Sequence, residues 1–176
     1  MTVFGVDATF QATWGPNSDD FLARVGLASP TGTLTATFAE TKSGSAGGYS
    51  YIGIYGWSTN PLTEYYIVDD WFGGGGPPNP GGTMTGTFTV DGATYAVYHH
   101  EQIDQPNITG TNQNFWQNFS VRQSSRTCGT ISISQHFSEW SSLGMALGTL
   151  EEARILVEAG GGTGNITFST ATVTTQ

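Results

Sequence analysis

Polar and apolar residues alternate with a period of two through most of the chain. Thr31 to Phe38, Tyr49 to Trp57, Glu64 to Val68, Thr83 to Val90 and Ala93 to Tyr98 each read as strands, followed by Phe119 to Gln123, Thr130 to Ser134, Ala153 to Glu158 and Asn165 to Val173. Successive strand residues point to opposite faces, so each run has one side for a core and one for another surface. Asp91-Gly92 sits between two alternating runs and predicts a type I′ hairpin, whose two central residues need positive φ. Strands of this length and spacing predict an antiparallel sandwich or barrel. One segment departs from the pattern. From Phe137 to Met145, the residues Phe137, Trp140 and Leu143 recur at helical spacing, which predicts one short helix ending near Gly144.

Composition narrows the class. The 176 residues suit a single domain, 1–176, with a sizeable core. Only 11% of residues are charged, and the formal net charge is −9. That charge opposes binding to nucleic acid or to an anionic membrane, while a neutral polymer meets no such barrier. The 25 glycines accompany 12% aromatics, so the chain is not a disordered tract. Gly73 to Gly82 is a loop rather than a phosphate cradle, because no Lys-Ser/Thr follows it. Cys128 stands alone, so no intrachain disulfide or thiolate metal site is expected, and it reads as a buried or half-buried structural thiol. No metal and no cofactor is implied. No membrane-length apolar run occurs.

Two acids then change the picture. Glu64 lies in Pro61-Leu62-Thr63-Glu64-Tyr65-Tyr66-Ile67-Val68, and Glu158 ends the apolar run Ile155-Leu156-Val157. Charged side chains are depleted in such strands and seldom buried without a task. Two carboxylates facing each other across one sheet are the equipment for glycosidic hydrolysis. By strand period, Glu64 shares a face with Tyr66 and Val68, and Glu158 with Leu156 and Arg154; Tyr55 and Trp57 share another, as do Phe115, Gln117 and Phe119.

The chain resembles glycoside hydrolase family 11, the endo-β-1,4-xylanases. Tyr55-Gly56-Trp57 followed by Pro61-Leu62-x-Glu64-Tyr65-Tyr66-Ile67-Val68 resembles the family's nucleophile strand. Pro106-Asn107-Ile108-Thr109-Gly110 resembles its thumb-loop tip, Phe115-x-Gln117-x-Phe119-Ser120-Val121-Arg122-Gln123 the strand after the thumb, and His136 to Gly148 its helix and exit. The resemblance implies an all-β jelly roll: a sandwich of two curved antiparallel sheets with one short helix and a thumb loop. It implies a secreted, monomeric retaining enzyme that acts on xylan or xylo-oligosaccharide, with Glu64 as nucleophile, Glu158 as acid/base and Asp20 beside Glu158. It places Tyr55, Trp57, Tyr66, Gln102, Pro106, Phe115 and Gln117 at the substrate. The alternative is a non-catalytic carbohydrate-binding jelly roll that keeps the cleft.

The departures are local. The first strands are short, and no equivalent of the family's cleft Trp appears before Trp14. Gln102 stands where the family has Arg, which should make the nucleophile easier to protonate. The run Leu150 to Arg154 is one residue short and lacks a cleft aromatic, and Glu158 is followed by Ala159-Gly160-Gly161-Gly162 rather than Gly-Tyr. Asp20 rather than Asn implies an acidic optimum. A proton shared between Asp20 and Glu158 implies that Asp20→Asn moves activity toward neutral pH.

Overall fold

The structure is a computed structural model and describes residues 4–176. Its strands are β1 (Phe4–Trp14), β2 (Phe21–Ala28), β3 (Leu34–Ser45), β4 (Ser50–Thr59), β5 (Thr63–Asp70), β6 (Thr83–Val90), β7 (Ala93–Gln105), β8 (Gln113–Arg122), β9 (Cys128–Ile131), β10 (Thr149–Ala159) and β11 (Thr163–Thr175), with one helix, α1 (Ile133–Ser142). They form a four-stranded sheet in the order β1-β11-β3-β9 and a seven-stranded sheet in the order β2-β10-β4-β5-β8-β7-β6. This is the β-jelly roll expected from the sequence. One pairing departs from the antiparallel pattern: β8 inserts between β5 and β7 and runs parallel to β5, with Glu64 opposite Gln117 and Tyr66 opposite Phe119.

The larger sheet is apolar on both faces. Ile52, Ile54, Tyr65, Ile67, Tyr95, Val97, Ile155 and Val157 point into the core between the sheets, against Leu34, Phe38, Ile166, Phe168 and Val173. The alternate residues Tyr51, Tyr55, Trp57, Tyr66, Val68, Phe115, Phe119 and Leu156 form a second cluster on the other face. Period two thus sorts Tyr65 and Ile67 to the core and Glu64, Tyr66 and Val68 to the far side. Gly56 permits close approach of β10: a Cβ there would lie 2.2 Å from the Glu152 carbonyl and 2.3 Å from the Tyr65 hydroxyl. Tyr65 donates that hydroxyl to the same carbonyl at 2.5 Å.

The β6–β7 turn is as expected, with Asp91 at φ 52° and Gly92 at φ 71°. Asp91 also reaches the helix. Its carboxylate accepts from the Ser132 N–H at 2.8 Å and the Ser132 hydroxyl at 2.6 Å. This tie starts α1 at Ile133, four residues before the expected Phe137, and ends β9 at Ile131. Ile131-x-Ile133 alternates like a strand, so sequence pattern alone extends the strand too far. The buried helix residues are Ile133, His136 and Trp140, while Leu143 caps the end and is exposed. Cys128 is exposed rather than buried. It is on the outer strand β9, which pairs only with β3, and only Ile131 of that strand is buried.

Two ion-pair groups link the sheets. Lys42 of β3 donates to Glu40 Oε1 at 2.9 Å and to Asp70 at the end of β5. Burial, then the hydrogen bond to Asp70, pushes Glu40 up to about 7. Arg126 meets the buried Asp69 at 2.6 Å, and the Tyr95 hydroxyl donates to the same carboxylate at 2.8 Å. Removing one member of a buried pair leaves an uncompensated charge. Lys42→Met is therefore expected to destabilise the fold by about 3 kcal/mol at pH 8. The loss is smaller at pH 5, where Glu40 keeps its proton. Urea unfolding at both pH values checks this; equal, negligible losses would rule out the pin.

Candidate active site

The second face of the large sheet opens into a cavity of about 520 Å³ lined by Asp20, Tyr49, Glu64, Tyr66, Gln102, Gln105, Pro106, Phe115, Gln117 and Glu158. Eight of the ten residues singled out from the sequence are among them. Tyr55 and Trp57 lie just beneath. Both acids are buried, Glu64 at 8% exposure and Glu158 at 6%. They reach the cavity from different strands, with β4 between: Glu64 is opposite Trp57 and Glu158 opposite Tyr51.

Glu64 is held by three donors. Tyr55 donates its hydroxyl to Oε1 at 2.9 Å, Tyr66 donates to the same oxygen at 3.1 Å, and the Gln117 amide donates to Oε2 at 2.5 Å. Trp57 donates its indole N–H to the Tyr55 hydroxyl at 2.5 Å and packs on Phe115 at 4.9 Å between ring centroids. Tyr66 is stacked on Phe119 at 4.5 Å, which fixes its ring. Arg24 lies over the Tyr55 ring at 4.9 Å. Burial raises the Glu64 pKa, and the hydrogen bonds from Gln117, Tyr55 and Tyr66 hold back the rise.

Glu158 is less well supplied: hydrogen bonds with Tyr66 and Tyr49 only partly offset its burial. Its Oε2 is buried with no hydrogen-bond partner. Burial, then the charge of Glu64, then that of Asp20, pushes its pKa up to about 8. Two buried carboxylates in one cavity cannot both ionise cheaply, and donors to one of them favour its charged form. Asp20 itself is exposed and accepts a hydrogen bond from the Tyr49 hydroxyl at 3.1 Å. It acts on Glu158 through its charge.

Gln102 and Pro106 come from the β7–β8 hairpin. Gln102 donates to Gln117 Oε1 at 2.8 Å and so reaches Glu64 through one intermediary. The hairpin tip is self-bonded. Asn107 Oδ1 accepts from the Thr109 N–H at 2.9 Å and hydroxyl at 2.7 Å, while its amide donates to the Thr111 carbonyl at 2.8 Å. These bonds hold Pro106 over the cavity.

Tyr49 and Gln105 line the cavity without having been singled out. Tyr49 shares a strand face with Tyr51 and Tyr55, so the period-two pattern carried a signal for it. Gln105 carried none, since it is an exposed residue beside a turn. No cluster of acidic, His and Cys side chains suited to a metal occurs among the described residues.

Comparison with known proteins agrees with this geometry. Residues 2–169 match the family described as glycosyl hydrolases family 11. Endo-1,4-beta-xylanase C of Fibrobacter succinogenes is 49% identical over 90% of this chain and 27% of its own length. Endo-1,4-beta-xylanase S20 of Neocallimastix patriciarum is 48% identical over 99% of this chain and 54% of its own length. The crystal structure of wild-type ENZbleach xylanase superposes with a TM-score of 0.87 at 42% identity, covering 94% of this chain and 70% of that one. A jelly roll with two buried acids in one cavity is the architecture of a carbohydrate-cleaving class. The chain belongs to glycosyl hydrolases family 11. It spans about a quarter to a half of the length of those two curated relatives.

The raised Glu158 pKa has a consequence for stability. A carboxyl whose folded pKa exceeds its unfolded value costs the fold as it ionises. Wild-type protein is thus expected to lose stability as pH rises from about 4.5 to about 8. Glu158→Gln is expected to remove that loss, so the variant is the more stable by a few kcal/mol, in order of magnitude, at pH 9. Urea unfolding at pH 5 and pH 9 measures it; parallel pH dependence in the two proteins would show that Glu158 is not perturbed.

Proposed function

We propose that this chain is the catalytic module of a retaining endo-1,4-β-xylanase. The observation that carries the reading is the asymmetry of the two acids: Glu64 is held by three donors, whereas Glu158 has a buried oxygen without a partner and a pKa near 8. Glu64 is thus kept as the carboxylate, and Glu158 keeps a proton to give.

In the first step Glu64 attacks the anomeric carbon. The glycosidic C–O bond breaks, and Glu158 transfers its proton to the leaving oxygen. A glycosyl ester forms on Glu64. The negative charge that raised Glu158 is then gone, so Glu158 takes a proton from water. The hydroxide oxygen attacks the same carbon, the ester bond breaks, and Glu64 returns as the carboxylate. Direct attack needs carboxyl groups ~5–5.5 Å apart.

Tyr66 and Tyr55 keep the nucleophile in place, and Gln117 presents its amide between Glu64 and the sugar. Phe115 and Pro106 flank the chain, with apolar faces for sugar C–H groups. Trp57 supports Tyr55 and Phe115 from below. The substrate is xylan or xylo-oligosaccharide, which is supported by what the relatives are named for. A polymer of that size is met outside the cell, and no helix among the described residues is long and apolar enough to cross a membrane. Both acids come from one chain, so a monomer suffices.

Glu64→Gln is expected to lower xylan hydrolysis by several orders of magnitude with an unchanged circular dichroism spectrum. Reducing-sugar release near the wild-type rate would remove Glu64 from the mechanism. Asp20→Asn provides a second test. Asp20 raises Glu158 by charge, so its loss lowers the Glu158 pKa and moves the alkaline limb of the pH–rate profile to lower pH. A shared proton gives the opposite movement, toward neutral, and the profile separates the two.

A further inference from the structure

The nucleophile's third donor is the end of a chain of side chains. Gln117 donates through Nε2 to Glu64 Oε2 at 2.5 Å, and its Oε1 accepts from Gln102 Nε2 at 2.8 Å. Gln102 Nε2 also lies 3.3 Å from His100 Nε2. Each amide has one end that donates and one that accepts, so the polarity of this row is set at its far end. With Gln102 presenting its NH2 group, His100 Nε2 has to be the unprotonated acceptor.

We propose that His100 is a positioning residue for the nucleophile: as a neutral imidazole protonated on Nδ1, it fixes the orientation of Gln102 and Gln117, so that Gln117 donates to Glu64. This rests on the reading of Glu64 as nucleophile. If Nε2 carries a proton, Gln102 must turn its oxygen toward the ring. Gln102 then offers that oxygen to Gln117 as well, Gln117 must turn over, and its oxygen faces the Glu64 carboxylate. The donor is lost and a repulsive contact replaces it.

The surroundings of His100 favour the neutral form. The ring is half-buried, stacked on Phe119 at 6.0 Å between centroids and backed by Gly82, where an added Cβ would lie 2.6 Å from Nδ1. Its Nδ1 is buried without a partner. An imidazolium would also have to donate from Nε2, the nitrogen that faces the Gln102 amide nitrogen at 3.3 Å. From β7 itself, His99 adds like charge when protonated, and Glu101 points to the opposite face. On β8, Gln117 is the residue in register and Phe119 the neighbour. On β6 the nearest groups are uncharged, with Thr83 opposite His99. The carboxylate it faces is Glu64, across two amides. Burial lowers its pKa, a hydrogen bond with Gln117 partly opposes that, and His99 adds a lesser lowering. A histidine here, in place of a residue without an acceptor, also gives Gln102 a fixed orientation that a lone amide lacks.

The test has one direct measurement and one variant. In wild-type protein, ¹⁵N imidazole shifts at pH 7 are expected to show His100 as the Nδ1–H tautomer. An Nε2–H tautomer or an imidazolium overturns the proposal, and this measurement stands whether or not the chain cleaves xylan. His100→Phe keeps the stack on Phe119 and removes the acceptor. Its kcat on xylan is expected to fall roughly tenfold with KM nearly unchanged, as for a transition-state hydrogen bond to a charged group. The acidic limb of its kcat/KM profile is expected to rise by about one pH unit, since Glu64 loses a donor to its charged form. The ¹³C carboxyl titration of Glu64, assigned with Glu64→Gln, should move by the same amount. Gln102→Leu, which breaks the row one bond later, should shift it equally, and the double variant no further. An unmoved Glu64 titration in folded His100→Phe overturns the proposal. Failure of wild-type protein to cleave xylan overturns the catalytic reading instead, and leaves the tautomer and the carboxyl titration to decide the role of His100.

Discussion

The constraint on which this structure depends is that β5 is buried on both faces along its whole length. One face must supply Tyr65 and Ile67 to the core. The other must therefore carry Glu64, Tyr66 and Val68 into the cavity. A slip of one residue would put Glu64 into the core and Tyr65 into the cleft, so packing energy and the placement of the acid are the same requirement. Tyr65 locks that register, because its hydroxyl reaches the Glu152 carbonyl past Gly56 and no side chain larger than glycine leaves room for it.

Glu64 and Glu158 have similar exposure and the same chemistry, yet they are set apart by their hydrogen bonds. Donors to a carboxylate stabilise its charge, and burial without donors stabilises the neutral acid. Tyr55, Tyr66 and Gln117 supply the first condition at Glu64; the unpartnered Oε2 of Glu158 supplies the second. The charge of Glu64 reinforces the difference, and so does that of Asp20 from the cavity rim. All three donors to Glu64 are uncharged. With Gln102 uncharged, amides and phenols carry the electrostatics of Glu64, and Arg24 contributes only from behind the Tyr55 ring.

The cationic side chains of this acidic chain are used sparingly. Lys42 and Arg126 neutralise buried acids next to each other in sequence, Asp70 and Asp69, at the end of β5. Arg24 and Arg154 meet on Glu152. The strand that bears Glu64 is thus anchored at its end by ion pairs to the loop and strand of the opposite sheet, and along its length by apolar packing.

Much of this was legible in the sequence for a local reason. Strand periodicity assigns faces without knowledge of partners, so Glu64, Tyr66, Tyr55, Trp57, Phe115 and Gln117 could be grouped before any coordinates. The Asp91-Gly92 turn was likewise legible, because positive φ at two successive residues is a local demand. What tertiary structure alone decided were properties set by distant neighbours. Ile133 belongs to a helix because Asp91, 41 residues before Ser132, binds Ser132 and ends the strand. Cys128 is exposed because β9 is an outer strand. Glu64 and Glu158 sit against different ends of β4 in register and are brought to one cavity by the twist of the sheet. The donor count at each acid depends on side chains from β4, β5 and β8 converging at one point, and spacing along the chain does not encode that convergence.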